Sequence, residues 1–152
     1  MADHDGMSVI VRVVTRWLFG LILAFGLAVA MTGHLTPGGG FAGGVVLAGG
    51  LVLLVLAFGR QLGLAATIGR LSSSLDAVGA LGFLAMAVFG YLTGQFFERW
   101  ITLGAPFTIG STPFIVLMNV AILLKVAAGI FAGFLALVAF GRLAADREGG
   151  EK

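Results

Sequence analysis

The sequence contains no cysteine, which excludes disulfides, thiolate metal sites and cysteine nucleophiles. Two histidines in 152 residues do not make an all-protein histidine metal site, so no catalytic group, metal or cofactor is expected. Charge is equally scarce. Asp, Glu, Lys and Arg make up 11% of the chain, against roughly 25% in a soluble domain. So few charges cannot cover a surface that faces water, and the solvent this composition suits is lipid. The formal net charge of +2 gives nucleic-acid binding no electrostatic support. There is no long polar block to build a soluble domain and no clear internal repeat.

What the sequence does have is apolar length. A membrane span needs about 20 mostly apolar residues, and four segments qualify, at about 13–32, 41–59, 75–97 and 113–140. The runs are continuous and do not alternate, so helices are expected and a barrel is not. The expected fold is an all-α integral membrane protein with four transmembrane helices, residues 1–152 forming a single membrane domain. Arg12, Arg16, Arg60, Arg70, Arg142, Arg147 and Lys152 fall on one side of this arrangement, and Arg99, beside Glu98, falls alone on the other. That bias places both termini in the cytoplasm, with residues 1–12 as a short solvated tail. A cleaved secretory signal is the competing reading of the N-terminus. It is disfavoured because the apolar run continues past Ala28-Val29-Ala30 to Met31.

Glycine recurs at helical spacing. Gly39/Gly43 and Gly40/Gly44 enter the second span, Gly90/Gly94 lies in the third, and Gly129/Gly133 in the fourth. In lipid such small-residue stripes let backbones approach and hold helices by van der Waals contact. Packing within the chain and packing against other subunits both fit. Phe41, Phe96, Phe97, Trp100 and Phe107 suit the outer interface, and Trp17 the inner one.

Lys125 is the polar residue that demands explanation. It lies near the middle of the fourth span, in "NVAILLKVAAGIF", where a charge costs about 2.5–3.5 kcal/mol on insertion scales. It is too deep to snorkel, with either membrane surface about 12 residues away, which favours a place on an ion or proton path. Asp76 is the nearest acid by sequence logic, but "SSSLD" has the spacing of a helix N-cap, Ser73 to Asp76. A cap at the start of the third span sets Asp76 and Lys125 about 15 Å apart in depth. A direct pair is therefore not expected, and Lys125 needs a carboxylate from a neighbouring subunit. Asn119, six residues before Lys125, faces elsewhere and is suited to a bond across helices. Glu98 and Arg99 read as a solvated pair.

The segment "GHLTPGGGF", Gly33 to Phe41, links the first two spans on the outer side. It lacks the Lys-Ser/Thr of a phosphate-binding loop and follows no strand. As a turn, Gly33 would end the first helix in a left-handed conformation, Pro37 would open the second, and Gly38 to Gly40 would allow close backbone approach. Its bare amides also suit an anion or water, a minor reading. His34 is either bonded within the turn, the favoured reading, or a proton carrier.

"GHLTPGGGFAGGVV", Gly33 to Val46, closely resembles the signature of the B subunit of Mrp-type multisubunit sodium/proton antiporters, and the likeness extends over about 9–140. Gly33, His34, Pro37, Gly38, Gly39, Gly40, Phe41, Gly43 and Gly44 match it. The resemblance implies a small accessory subunit in a prokaryotic cell (inner) membrane. Its partners would be the other subunits of the complex and the lipid bilayer, and the complex would exchange Na+ for H+. Related subunits also serve membrane-bound hydrogenases and respiratory complexes. The fourth span departs from one branch of the family, which carries an acid near position 119 and no lysine at 125, and is closer to the hydrogenase-associated and archaeal type. Three functions stay open: an antiporter subunit with Lys125, Asn119, His34 and Asp76 as ion-path candidates, an antiporter module of a redox enzyme, and an independent homo-oligomeric transporter. The last is disfavoured because the first span has no carboxylate.

Overall fold

The computed structural model describes residues 7–33, 35, 37–58, 64–93 and 113–150. These form four α-helices, α1 (Val9–Met31), α2 (Gly39–Phe58), α3 (Leu64–Thr93) and α4 (Pro113–Gly150), and no strand among the described residues. Each contains a stretch long and apolar enough to cross a membrane: Val9–Met31, Gly39–Phe58, Leu71–Leu92 and Phe114–Gly141. The chain is thus an all-helical, multi-pass membrane protein.

The helix ends differ from expectation in instructive ways. α1 begins at Val9, with Ser8 as its N-cap accepting from the Val11 amide at 3.5 Å. Arg12 therefore belongs to the helix and not to a solvated tail. α1 stops at Thr32, whose amide and hydroxyl both donate to the Ala28 carbonyl, at 2.9 and 2.8 Å. Gly33 does not take the left-handed conformation expected of it. Gly39 does, with φ +81°, a conformation that costs a residue with a Cβ about 1–2 kcal/mol. α2 opens at that glycine, two residues after Pro37.

The largest correction concerns α3. It begins at Leu64, eleven residues before the expected Leu75, so the serines do not cap it. Ser72, buried, returns its hydroxyl to the Gly69 carbonyl at 2.8 Å, one turn back. A serine satisfied this way sits inside a helix without breaking it. α4 runs past Phe140 to Gly150. At 1.5 Å per residue it is about 57 Å long, so its end projects beyond a hydrocarbon core of about 30 Å.

The helices pack in the order α1, α2, α4, α3, with α4 shared between α2 and α3 and only slight contact between α1 and α4. Gly26 meets Gly43, Gly50 meets Ile22, and the Arg16 guanidinium lies 5.6 Å from the Phe58 ring centroid. Numbers rise along one helix as they fall along the other, so α1 and α2 are antiparallel. Gly40 meets Asn119 and Gly44 meets Val126, making α2 and α4 parallel. Gly69 meets Leu135, Gly79 meets Lys125 and Gly82 meets Ala121, making α3 and α4 antiparallel.

The seams are built from small residues. Ala30, Ala48, Ala57, Ala87, Ala121, Ala127 and Ala128 are buried, and Phe131 is the only large apolar side chain described as fully enclosed. Bulk points outward, as at Trp17, Leu21, Phe25 and Phe140. This distribution suits lipid, where close backbone contact and not apolar burial holds helices together. The α2 stripe of Gly39, Gly40, Gly43 and Gly44 is buried inside the chain. Gly133 has no neighbour within 4 Å, and Gly129 has only Asp76, so that stripe is open. Trp17 and Phe41 are exposed. Gly94, Phe96, Phe97, Glu98, Arg99, Trp100 and Phe107 lie outside the described residues.

Candidate functional site

α4 carries two polar side chains in its apolar stretch, and they serve different neighbours. Asn119 faces α2. Its side-chain oxygen accepts from the Gly40 amide at 3.2 Å. The first N–H groups of a helix have no partner within it, so α4 supplies a cap to α2 from outside that helix. A Cβ on Gly40 would collide with the Asn119 carbonyl oxygen, and one on Gly33 would collide with Gly39 and lie 2.8 Å from the Asn119 amide nitrogen. Gly33, Gly39 and Gly40 are thus the space into which Asn119 and its backbone fit, while Gly38 faces Val29. The bond across helices expected of Asn119 is present.

Lys125 faces α3. Its Nζ donates to Asp76 Oδ1 at 3.0 Å, forming an ion pair within the chain. This overturns the expectation that the two lie at different depths. The earlier start of α3 accounts for the difference: the helix begins at Leu64 and its apolar stretch at Leu71, which places Asp76 inside the span and not at its first residues. Asp76 is therefore a mid-helix residue and not a cap, and Lys125 has its carboxylate without help from a second chain. Lys125 lies eleven residues from Phe114 and sixteen from Gly141, well inside the α4 span.

The pair is held level by Gly79. A Cβ there would lie 2.7 Å from the Ala121 carbonyl oxygen, 2.9 Å from the Lys125 amide nitrogen and 3.0 Å from its Cβ. The bare glycine brings α3 against α4 one turn from Asp76. Both charged side chains nevertheless remain open, 49% exposed at Lys125 and 42% at Asp76. Beside them runs an open groove of about 320 Å³ lined by Gly79, Ala80, Phe83, Ile122 and Lys125.

Of the residues singled out by sequence, Lys125 and Asp76 come together, as do Asn119 and the glycine motif. The two groups occupy opposite flanks of α4. His34 lies outside the described residues. Sequence reasoning missed Gly79. The signal was its spacing: Asp76, Gly79, Ala80 and Phe83 recur at helical intervals on one face of α3, provided the helix starts early enough. Among the described residues no group of three or more His, Cys, Asp or Glu could hold a metal ion.

Comparison with known proteins adds the following. A family described as "Domain related to MnhB subunit of Na+/H+ antiporter" matches residues 10–132. The chain is 37% identical over 117 residues to uncharacterized protein MJ1307 of Methanocaldococcus jannaschii, which covers 72% of this chain and 44% of the relative. It is 40% identical over 58 residues to a Staphylococcus aureus (strain Newman) protein named "Putative antiporter subunit mnhB2", covering 38% of this chain and 39% of the relative. The chain thus spans less than half the length of either curated relative.

Proposed function

Since this chain belongs to the family of domains related to the MnhB subunit of Na+/H+ antiporters, we propose that it is a small membrane subunit of a multisubunit cation/proton antiporter complex. Na+ and H+ are the ions the complex exchanges, and its other subunits are the partners. The observation that carries this reading is the family match over residues 10–132, which takes in Asn119, the glycine motif and both members of the ion pair. Residues 1–152 act as one membrane unit, with both termini cytoplasmic by the Lys/Arg bias.

Within that unit the roles divide. Asn119 and Gly33, Pro37, Gly38, Gly39, Gly40, Phe41, Gly43 and Gly44 build the scaffold that supports assembly. Lys125 and Asp76 supply intramembrane charge at the edge of an ion or proton path, and His34, in the outer turn, stands as a further path residue. Mid-membrane charges are expensive, and where a span keeps them they mark polar pathways or relays.

Purifying a tagged chain from its native membrane and measuring Na+-dependent proton flux in everted vesicles tests the proposal. The expected outcome is co-purification of other antiporter subunits and loss of flux when the chain is deleted. Nickel and iron–sulfur signals in the purified assembly would instead assign the chain to a redox-coupled complex. Transport by the reconstituted chain alone would make it an independent transporter.

A further inference from the structure

From the groove between α3 and α4 and the charged pair at its edge, we infer a docking surface for one membrane helix of another subunit. That helix is apolar along its length and presents a single carboxylate or amide oxygen to Lys125. The inference rests on the antiporter-subunit reading and adds the place and chemistry of one contact.

Three observations support it. Lys125 and Asp76 lie within the apolar stretches of their helices, eleven residues from Phe114 and five from Leu71, yet remain about half exposed on a flank that no described element of this chain covers. Hydrocarbon cannot hydrogen-bond, so such groups must face protein or water. The groove walls are apolar, formed by Gly79, Ala80, Phe83, Ile122 and the Lys125 stem, while the Lys125 ammonium lies at the edge, bonded to Asp76. Gly79 is taken up by the contact with α4, and the half-buried Ala80 beside it keeps this wall low enough for a helix to seat closely, as small residues do in membranes. Finally, the ammonium has three N–H donors. Its bond to Asp76 uses one, and among the described residues no other acceptor is bonded to it. The group missing at the edge of the groove is an oxygen acceptor on an otherwise apolar surface. Lys125 is eleven residues, about 16 Å, from the Phe114 end of its span, while Asp76 is five residues, about 8 Å, from the Leu71 end of its own, so lipid is the occupant that the test must exclude.

The absence of cysteine makes the test clean. Ala80→Cys in the full complex gives a single attachment point in this chain for a benzophenone maleimide. Illumination in native membranes should link it to a membrane helix of another subunit bearing Asp, Glu, Asn or Gln near the linked residue. The decisive variant exchanges the pair, Asp76→Lys with Lys125→Asp, which preserves the internal attraction but reverses what the groove presents. The exchanged chain should accumulate within twofold of the parent while the adduct falls at least tenfold. Lys125→Arg should keep the adduct. If the exchanged chain does not accumulate, the neutral pair Asp76→Asn with Lys125→Met should show the same tenfold loss.

Retention of the adduct in a charge-altered pair that accumulates would overturn the inference, because the pair would then satisfy only itself. So would adducts to lipid alone, to a second copy of this chain, or labelling of the introduced thiol by a water-soluble maleimide in the intact complex. These outcomes are separable from failure of the functional reading. A tagged parent chain that carries no other subunit sinks that reading, whereas one that carries subunits while position 80 meets only lipid sinks the docking surface alone.

Discussion

The two flanks of α4 use the same device to opposite ends. On the α2 side, Gly40 lies directly beneath the Asn119 backbone, the neighbouring Gly39, Gly43 and Gly44 are buried, and the Asn119 amide caps the partner helix. That seam is closed and uncharged. On the α3 side, Gly79 is pressed equally close to Ala121 and Lys125, but the helices part beside it and leave a groove with a half-exposed ion pair. A glycine under a helix backbone therefore does not by itself mark a structural seam. What distinguishes the two is the charge beside the glycine and its exposure. Asn119 is neutral and lies in a closed contact. Lys125 and Asp76 are ionisable and open inside their spans, where hydrocarbon cannot meet them.

The closed seam should be broken most severely by adding volume. Gly40→Ala puts a methyl into the Asn119 carbonyl oxygen, and neither backbone can yield without moving a helix. Overpacking costs about 1–3 kcal/mol and occasionally more, and a contact with backbone puts this site at the upper end. The expected result is a sharply lowered thermal midpoint in detergent and reduced membrane accumulation. A midpoint unchanged from the parent would mean that α2 and α4 do not approach this closely.

The open seam should respond to charge before volume. Lys125→Met strands Asp76, and Asp76→Asn strands Lys125, each leaving a lone ionisable group where insertion scales assign about 2.5–3.5 kcal/mol. The double variant strands neither. It should accumulate in the membrane better than either single variant, a coupling that immunoblots of membrane fractions can read. A double variant at the level predicted by adding the two single losses would show that the 3.0 Å pair carries no coupling energy.

The sequence made the four spans and the role of small residues legible, because apolar length and glycine spacing act locally and survive without a fold. Asn119 was legible for the same reason: an amide in a span needs a partner helix. The pairing of Asp76 with Lys125 was hidden by one boundary. "SSSLD" satisfies the local chemistry of a helix start, and nothing local shows that the helix is already eleven residues long. What decides the matter is tertiary: Gly79 against α4 fixes the register, and Ser72 bonds within the helix. Depth in a membrane is a property of helix pairs, so an error in one helix start becomes an error in who meets whom. Gly79 itself went unnoticed because it has no second glycine four residues away and so shows no stripe.

Smaller changes sharpen the contrast. Asn119→Leu removes the cap on Gly40 and should cost about 0.6–1.7 kcal/mol, the range of single hydrogen bonds between membrane helices. The loss should appear as a modest fall in thermal midpoint with the ion pair intact. Gly133→Ala should do less still, and its sign is informative. Gly133 has no atom within 4 Å of where its Cβ would sit, so in the isolated chain the change should be neutral or slightly stabilising, since alanine is favoured over glycine in a helix by up to about 1 kcal/mol. In the assembled complex the same methyl meets whatever packs on α4 beyond the groove. Measuring both states in parallel separates the possibilities. A gain in both leaves Gly133 facing lipid, while a gain alone and a loss in the complex extends the open surface from Lys125 two turns further along the helix.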